Sequence, residues 1–325
     1  MHQSSGNWKL GLALALTTAL MWGLLPIAVK DLLVVLDPWT ITFYRFAGAA
    51  VLMGYLLWRR HQLPRLNNRS WRFWALLGIA IVGLCANYIL FLLGLERTTP
   101  ATTQVLIQLA PMLLLLGGLW LFKERFSRIQ WAGFLTFVVG LGLFFNQRLP
   151  EVLAMHSTYA WGSLLVVGAA ITWAAYALAQ KQLLVHLSSF GIMWLILCVG
   201  SAGFVWLADL GSVAKLDIVG WGMLVFSSLN TAIAYGAFAE ALAHWEASRV
   251  SAVLSLTPVI TVICLEILSW IFPARFTQEP LNFLTILGIF VVVAGSAMTA
   301  LGKAKTVDAT SDTTSPASMT AKSKA

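Results

Sequence analysis

Eight residues able to bond or stack on a small molecule stand deep inside apolar stretches of this chain: Trp22, Asn87, Tyr88, Gln108, Trp173, Tyr176, Asn230 and Tyr235. A polar group at bilayer depth is costly unless it is partnered, so these side chains must face protein or a cavity. Two arrangements meet that demand. Aromatic walls and amides together can line a cavity that holds a small molecule, or Asn and Gln can bond across packed helices. The recurrence of Trp22 as Trp173 in an internal repeat favours the cavity. Charges inside the apolar runs are rarer. Arg45 and Glu266 lie at similar depth, about 8–10 Å from the same end of their helices, which predicts a pair, direct or through water, that gates or neutralises the path. The alternative is that Arg45 snorkels to the surface and Glu266 caps a local backbone break. Glu240, with His244 one turn later, is either a proton-linked site or an interfacial carboxylate. No catalytic pattern accompanies them: HExxH, G-x-S-x-G and a glycine-rich phosphate loop are all missing. The histidines, His2, His61, His156, His186 and His244, lack ligand spacing. Neither metal nor cofactor is expected.

The elements that position these residues follow from composition. Of 325 residues, 59% are hydrophobic and 10% charged, and the mean hydropathy is +0.82, far from soluble averages. Ten apolar runs each have about the 20 residues of a spanning helix: 10–29, 39–58, 73–95, 99–122, 129–146, 159–179, 190–208, 219–243, 250–271 and 281–301. The expected fold is an all-α integral membrane protein of ten transmembrane helices. The run at 10–29 is too long for a signal-peptide core and reads as a retained helix. Pro26, Pro111 and Pro258 stand within runs, where each removes a backbone hydrogen bond and bends its helix, so all three are candidate hinges. Cys85, Cys198 and Cys264 lie inside apolar runs and read as packing thiols rather than a disulfide framework.

The net charge of +8 does not point to nucleic acid, because the basic residues sit in short loops. With the N-terminus inside, fifteen Lys and Arg fall on inner segments and five on outer ones, which places both termini in the cytoplasm. Residues 1–9 then form a cytoplasmic N-terminus, 147–158 an external linker, and 302–325 a disordered cytoplasmic tail rich in Ser, Thr, Ala and Lys.

Two copies of a five-helix unit, 10–146 and 159–301, are readable. Trp22, Lys30, Leu32 and Leu33 recur 151 positions later as Trp173, Lys181, Leu183 and Leu184. Tyr88, Phe91 and Pro111 recur 147 later as Tyr235, Phe238 and Pro258, and Gly133 and Gly140 recur 155 later as Gly288 and Gly295. On the second shift Ser255 stands for Gln108. An odd number of helices per unit inverts one copy against the other, a transporter architecture with its site near the midplane between the repeats. The paired glycines read as close helix packing, with a role in dimer contacts left open.

The chain resembles the EamA-type transporters of the drug/metabolite transporter superfamily. The likeness rests on Met21-Trp22-Gly23, Arg45-Phe46, the span from Ala110-Pro111 to Lys123-Glu124-Arg125, Thr257-Pro258, and the glycine-spaced fifth and tenth helices. It covers residues 10–301, and departs from symmetry where Ile271 stands opposite Glu124. The resemblance implies export or exchange of a small metabolite, such as an amino acid, across the cytoplasmic (inner) membrane by alternating access. The expected partners are a small-molecule substrate and the lipid bilayer, with a proton or other coupling ion and the choice of monomer or homodimer left open. No ATP-binding segment is present, so the drive would be a gradient. Two other classes stand beside this reading. One is an intramembrane enzyme acting on lipid-borne substrates, which needs a His/Asp/Ser cluster that the chain does not supply. The other is a non-transporting membrane subunit, which leaves the midplane amides and paired tryptophans without a purpose.

Overall fold

Polar caps punctuate the apolar runs. In the computed structural model, which describes residues 7–122, 127–154, 157–279 and 281–302, all regular structure is helical. Lys123, Glu124 and Arg125, His2, His156 and the tail from residue 303 lie outside the described residues. The first half holds α1 (Trp8–Leu32), α2 (Pro38–Arg59), α3 (Trp71–Arg97), α4 (Pro100–Leu106), α5 (Leu109–Phe122) and α6 (Arg128–Phe144). A five-residue helix, α7 (Leu149–Leu153), lies in the linker. The second half holds α8 (Thr158–Leu183), α9 (Ser189–Phe204), α10 (Ile218–His244), α11 (Ala247–Leu254), α12 (Thr257–Ile271) and α13 (Phe283–Leu301).

Helix starts are set by short acceptor side chains that satisfy free N–H groups, each contributing about 1 kcal/mol. Asp37 accepts from Trp39 and Thr40 ahead of α2, and Ser70, Thr99, Ser157 and Ser188 cap α3, α4, α8 and α9. Ser127 and Gln130 form a reciprocal capping box at α6. Asp217 and Asn282 cap α10 and α13.

Among the described residues, seven helical segments are long and apolar enough to cross a membrane: 8–32, 38–59, 71–97, 158–183, 218–242, 248–271 and 283–301. The helices at 128–144 and 189–204 are apolar but shorter. Large apolar side chains stay exposed on the outer faces, among them Val51, Val82, Leu135, Ile171, Ile263 and Phe290. That is the surface of a protein whose surroundings are hydrocarbon.

The two halves lock together by exchanging equivalent contacts. The third helix of each half packs along the first helix of the other, α3 on α8 and α10 on α1, while α2 pairs with α9 and α6 with α13. A side chain meets the backbone in the same way at both equivalent seams. Asn87 Nδ2 donates to the Ala169 carbonyl at 2.8 Å, and Thr18 Oγ1 donates to the Ala234 carbonyl at 3.4 Å. Ala234 and Thr18 stand at the repeat positions of Asn87 and Ala169, so the same contact is made twice with the donor on opposite helices. The glycine stripe closes the α6–α13 seam. A Cβ on Gly133, Gly140, Gly288 or Gly295 would come under 3.0 Å from backbone of the facing helix. These glycines face one another within one chain, so the stripe serves intrachain packing.

Candidate functional site

Two helices expected to bend are broken outright. α4 and α5 are separated at Ile107–Gln108, and α11 and α12 at Ser255–Leu256. Each break lies just before the proline that cannot donate, Pro111 or Pro258. At the first break Ala110 N reaches only to the Ile107 carbonyl, at 2.9 Å. The breaks meet: Gln108 Nε2 donates to the Ser255 carbonyl at 3.0 Å. The side chain from one repeat thus satisfies the backbone of the matching position in the other. Pro26 behaves differently. α1 runs unbroken through it, and the Gly23 carbonyl, one turn back, accepts from Thr261 Oγ1 of α12 at 2.6 Å.

Around this contact lies a cavity of about 450 Å³, within the range of small-molecule sites. Trp22, Asn87, Tyr88, Gln108, Pro111, Trp173, Asn230 and Tyr235 all line it, with Arg45, Phe91, Gln104 and Phe238. Tyr176 lines a smaller adjoining space of about 160 Å³ that shares Trp22, Trp173 and Tyr235. Trp22 meets Tyr235 edge-on at 5.5 Å and Phe238 at 5.8 Å, and Trp173 meets Tyr176 edge-on at 6.2 Å. The amides belong to both of the arrangements weighed from the sequence. Asn87, Gln108 and Asn230 each donate to a carbonyl of the other repeat, Asn230 to Met21 at 2.6 Å, yet each also faces the cavity. Ser248, Ser251, Ser296 and Ala300 complete the wall. The sequence pointed to the 248–258 stretch as flanking a polar cavity, with Ser251 at the repeat position of Gln104, but not to Ser296 and Ala300 of α13, because serine and alanine carry little signal in an apolar run. Gln104 was visible as a partner of Gln108 four residues on, one turn away on the same face.

The charged residues are arranged differently from expectation. No ion pair joins Arg45 to Glu266 among the described residues. Arg45 is 3% exposed, and its guanidinium lies over the Tyr88 ring, 4.5 Å from the centroid. Glu266 is half-buried on α12 and is not in the cavity wall. Equal depth placed the two at one level without fixing which way each faces, and α2 turns Arg45 toward α3. Glu240 is exposed and holds His244 at 3.2 Å, away from the cavity. Pro258 lies at the second break but outside the wall, next to the lining residue Thr257. No group of three His, Cys, Asp or Glu among the described residues could hold a metal ion.

One end of the bundle is tied together by polar contacts that no periodicity foretold. Lys30 Nζ at the end of α1 donates to the carbonyls of Leu95, Glu96 and Thr98 at 2.7, 3.0 and 2.8 Å, finishing α3. Arg275, in the α12–α13 loop, bonds both oxygens of Asp31 at 2.7 Å and also pairs with Asp217 at the start of α10. Asp31 and then Asp217 raise the Arg275 guanidinium above its usual range. The bond from Arg275 holds the Asp217 carboxyl below the usual carboxylate range. Glu279 in the same loop accepts from Ala101 N at 3.2 Å, and burial pushes its carboxyl up. Toward this end the lining residues Arg45, Asn87 and Gln104 are buried, while Leu25 and Phe91 are half-exposed. At the His244 end Leu114, Ser248, Ser251 and Ala300 are half-exposed.

Comparison with known proteins agrees with this architecture. The family described as the EamA-like transporter family matches residues 9–146 and again 160–301. The chain is 41% identical over 303 residues to the uncharacterized inner membrane transporter YhbE of Escherichia coli (strain K12), covering 93% of this chain and 94% of that protein. It is 38% identical over 293 residues to an uncharacterized transporter of Haemophilus influenzae, covering 90% and 95%. A solved crystal structure superposes with a TM-score of 0.61 at 16% identity, over 90% of this chain and 97% of that one, a likeness of fold alone. The cavity, the doubled helix break and the two-fold match to the family lead to one conclusion: the chain belongs to the EamA-like transporter family, and is a multi-pass inner-membrane transporter and not an enzyme.

Proposed function

We propose that this protein carries a small amphipathic metabolite, an amino acid or a close relative, out of the cytoplasm by alternating access at the cavity between its halves. In this reading the chain crosses the membrane ten times, through α1, α2, α3, α4 with α5, α6, α8, α9, α10, α11 with α12, and α13. The two halves are inverted repeats and both termini are cytoplasmic. The observation that carries the proposal is the Gln108–Ser255 contact. It joins the two helix breaks across the pseudo-two-fold axis and beside the cavity, so relative motion of the halves has to reshape the cavity itself. Broken helices at the repeat interface are where transporters of this architecture bind substrate. Trp22, Trp173, Tyr235 and Phe238 offer apolar walls, and the buried Asn230 Oδ1, which has no donor, offers an acceptor. With the N-terminus inside, the His244 end of the cavity is the cytoplasmic one, from which an exporter loads. The drive is the substrate's own gradient or that of a proton or other ion.

The test is counterflow in proteoliposomes loaded with unlabelled amino acids, with labelled ones added outside. Accumulation above protein-free liposomes for at least one member is expected. Absence of flux across amino acids, amines and nucleobases contradicts the proposal.

A further inference from the structure

We propose that Arg45 is the anchor for a single carboxylate on the substrate, and that this carboxylate, rather than an ammonium, is the group the cavity recognises. The inference rests on the transport reading above and adds the charge of what is carried. Arg45 is 3% exposed and lines the cavity. Its Nε is buried, and among the described residues no carboxylate or carbonyl accepts a hydrogen bond from it. The Tyr88 ring, 4.5 Å away and itself packed edge-on against Phe46 at 4.6 Å, holds the guanidinium in place without neutralising it. A cation–π contact returns about 2 kcal/mol at most at such a site, whereas an unpaired buried charge costs several. A guanidinium is always protonated and cannot escape by losing its proton. The missing partner is therefore an anion that comes and goes.

The cavity also fixes the kind of anion. Among the described residues lining it, Arg45 is the only ionised side chain, and no Asp, Glu, Lys or His joins it there. One fixed positive charge balances one negative charge, which a carboxylate carries and a doubly ionised phosphate exceeds. The planar fork of the guanidinium matches a carboxylate with two parallel bonds. With no carboxylate among the described lining residues, an ammonium on the same ligand has no counter-ion there and is dispensable. The rest of the ligand then lies against Trp22, Tyr235 and Phe238.

Four probes of one shape separate these possibilities in proteoliposomes holding the full chain: L-phenylalanine, 3-phenylpropionate, L-phenylalaninamide and phenethylamine. The expected result is that both acids exchange, while the amide and the amine compete about 10- to 100-fold more weakly, the range that follows from losing a charged hydrogen bond. Arg45→Gln should remove discrimination between the acids and the amide, and Arg45→Lys should restore it in part. Should Arg45→Gln fail to insert, the probe series on the unaltered chain decides alone. Exchange of phenethylamine or the amide as strong as that of the acids, or acid exchange unchanged by Arg45→Gln, overturns the inference while leaving transport intact. No exchange of any of the four overturns it and counts against the amino-acid reading as well.

Discussion

Arg275→Ala should open the end of the bundle that Arg275 now ties. The side chain of Asp31 is 7% exposed and that of Arg275 is 29% exposed, while Asp217 stands largely in solvent at 58%. The Asp217 arm is then worth little, as exposed pairs are. The two-pronged Asp31 arm is a charged hydrogen bond in a mostly buried place, worth about 2 kcal/mol. If the bridge exists only when this end is closed, its loss shifts the balance of closed and open forms by about 30-fold. The assay places a cysteine at Leu25, which lines the cavity, in a chain whose Cys85, Cys198 and Cys264 are serine. A membrane-impermeant thiol reagent is then added on the Arg275 side. Labelling should accelerate by about 10- to 30-fold in Arg275→Ala, and Arg275→Lys should fall between. Unchanged labelling together with a lower melting temperature would show the bridge to be structural only, and the gating argument would fail.

Two further outcomes test the frame. Gly295→Val forces a branched side chain against Phe137 backbone at the α6–α13 seam, and overpacking of this kind costs about 1–3 kcal/mol or more; folded yield in membranes should drop, and normal yield and melting would show that the seam can yield. Glu279→Gln keeps an acceptor for Ala101 N but removes a carboxyl whose folded pKa is raised by burial. The stability that such a group contributes is fully present below its unfolded pKa, near the ordinary value of 4.5, and is lost as pH rises through the raised folded value. The melting temperature of the native chain should therefore fall relative to that of Glu279→Gln as pH rises from 4.5, and parallel curves would refute the assignment.

Much of the frame could be read from the residues. The apolar runs marked the spans, and Pro111 and Pro258 marked bends that are full breaks in the structure, because each signal acts on its own backbone neighbourhood. The repeat shifts brought Gln108 and Ser255 into register, and the two turn out to touch. Facing direction was harder. Arg45 and Glu266 share a depth, but depth along an axis says nothing of azimuth, and only packing turned Arg45 onto Tyr88. The glycine stripes announced a close approach without naming the partner, which lies within the same chain. Pro26 carried the same signal as Pro111, yet α1 stays continuous there with Thr261 bonded to its backbone at Gly23. The Asp31–Arg275–Asp217 bridge lies at helix ends and in a loop, where no periodicity operates, and it is visible only once the chain is folded.

The central claim, that substrate passes where the two broken helices meet, is tested most directly by Gln108→Leu. Leucine is close in size but cannot donate to the Ser255 carbonyl, so a backbone acceptor at the break loses its partner at a cost of about 1–3 kcal/mol. Counterflow in proteoliposomes carrying equal amounts of inserted protein should fall by about 10-fold or more, with insertion and melting of the chain nearly unchanged. Flux at the level of the unaltered protein would contradict the account and place the path elsewhere.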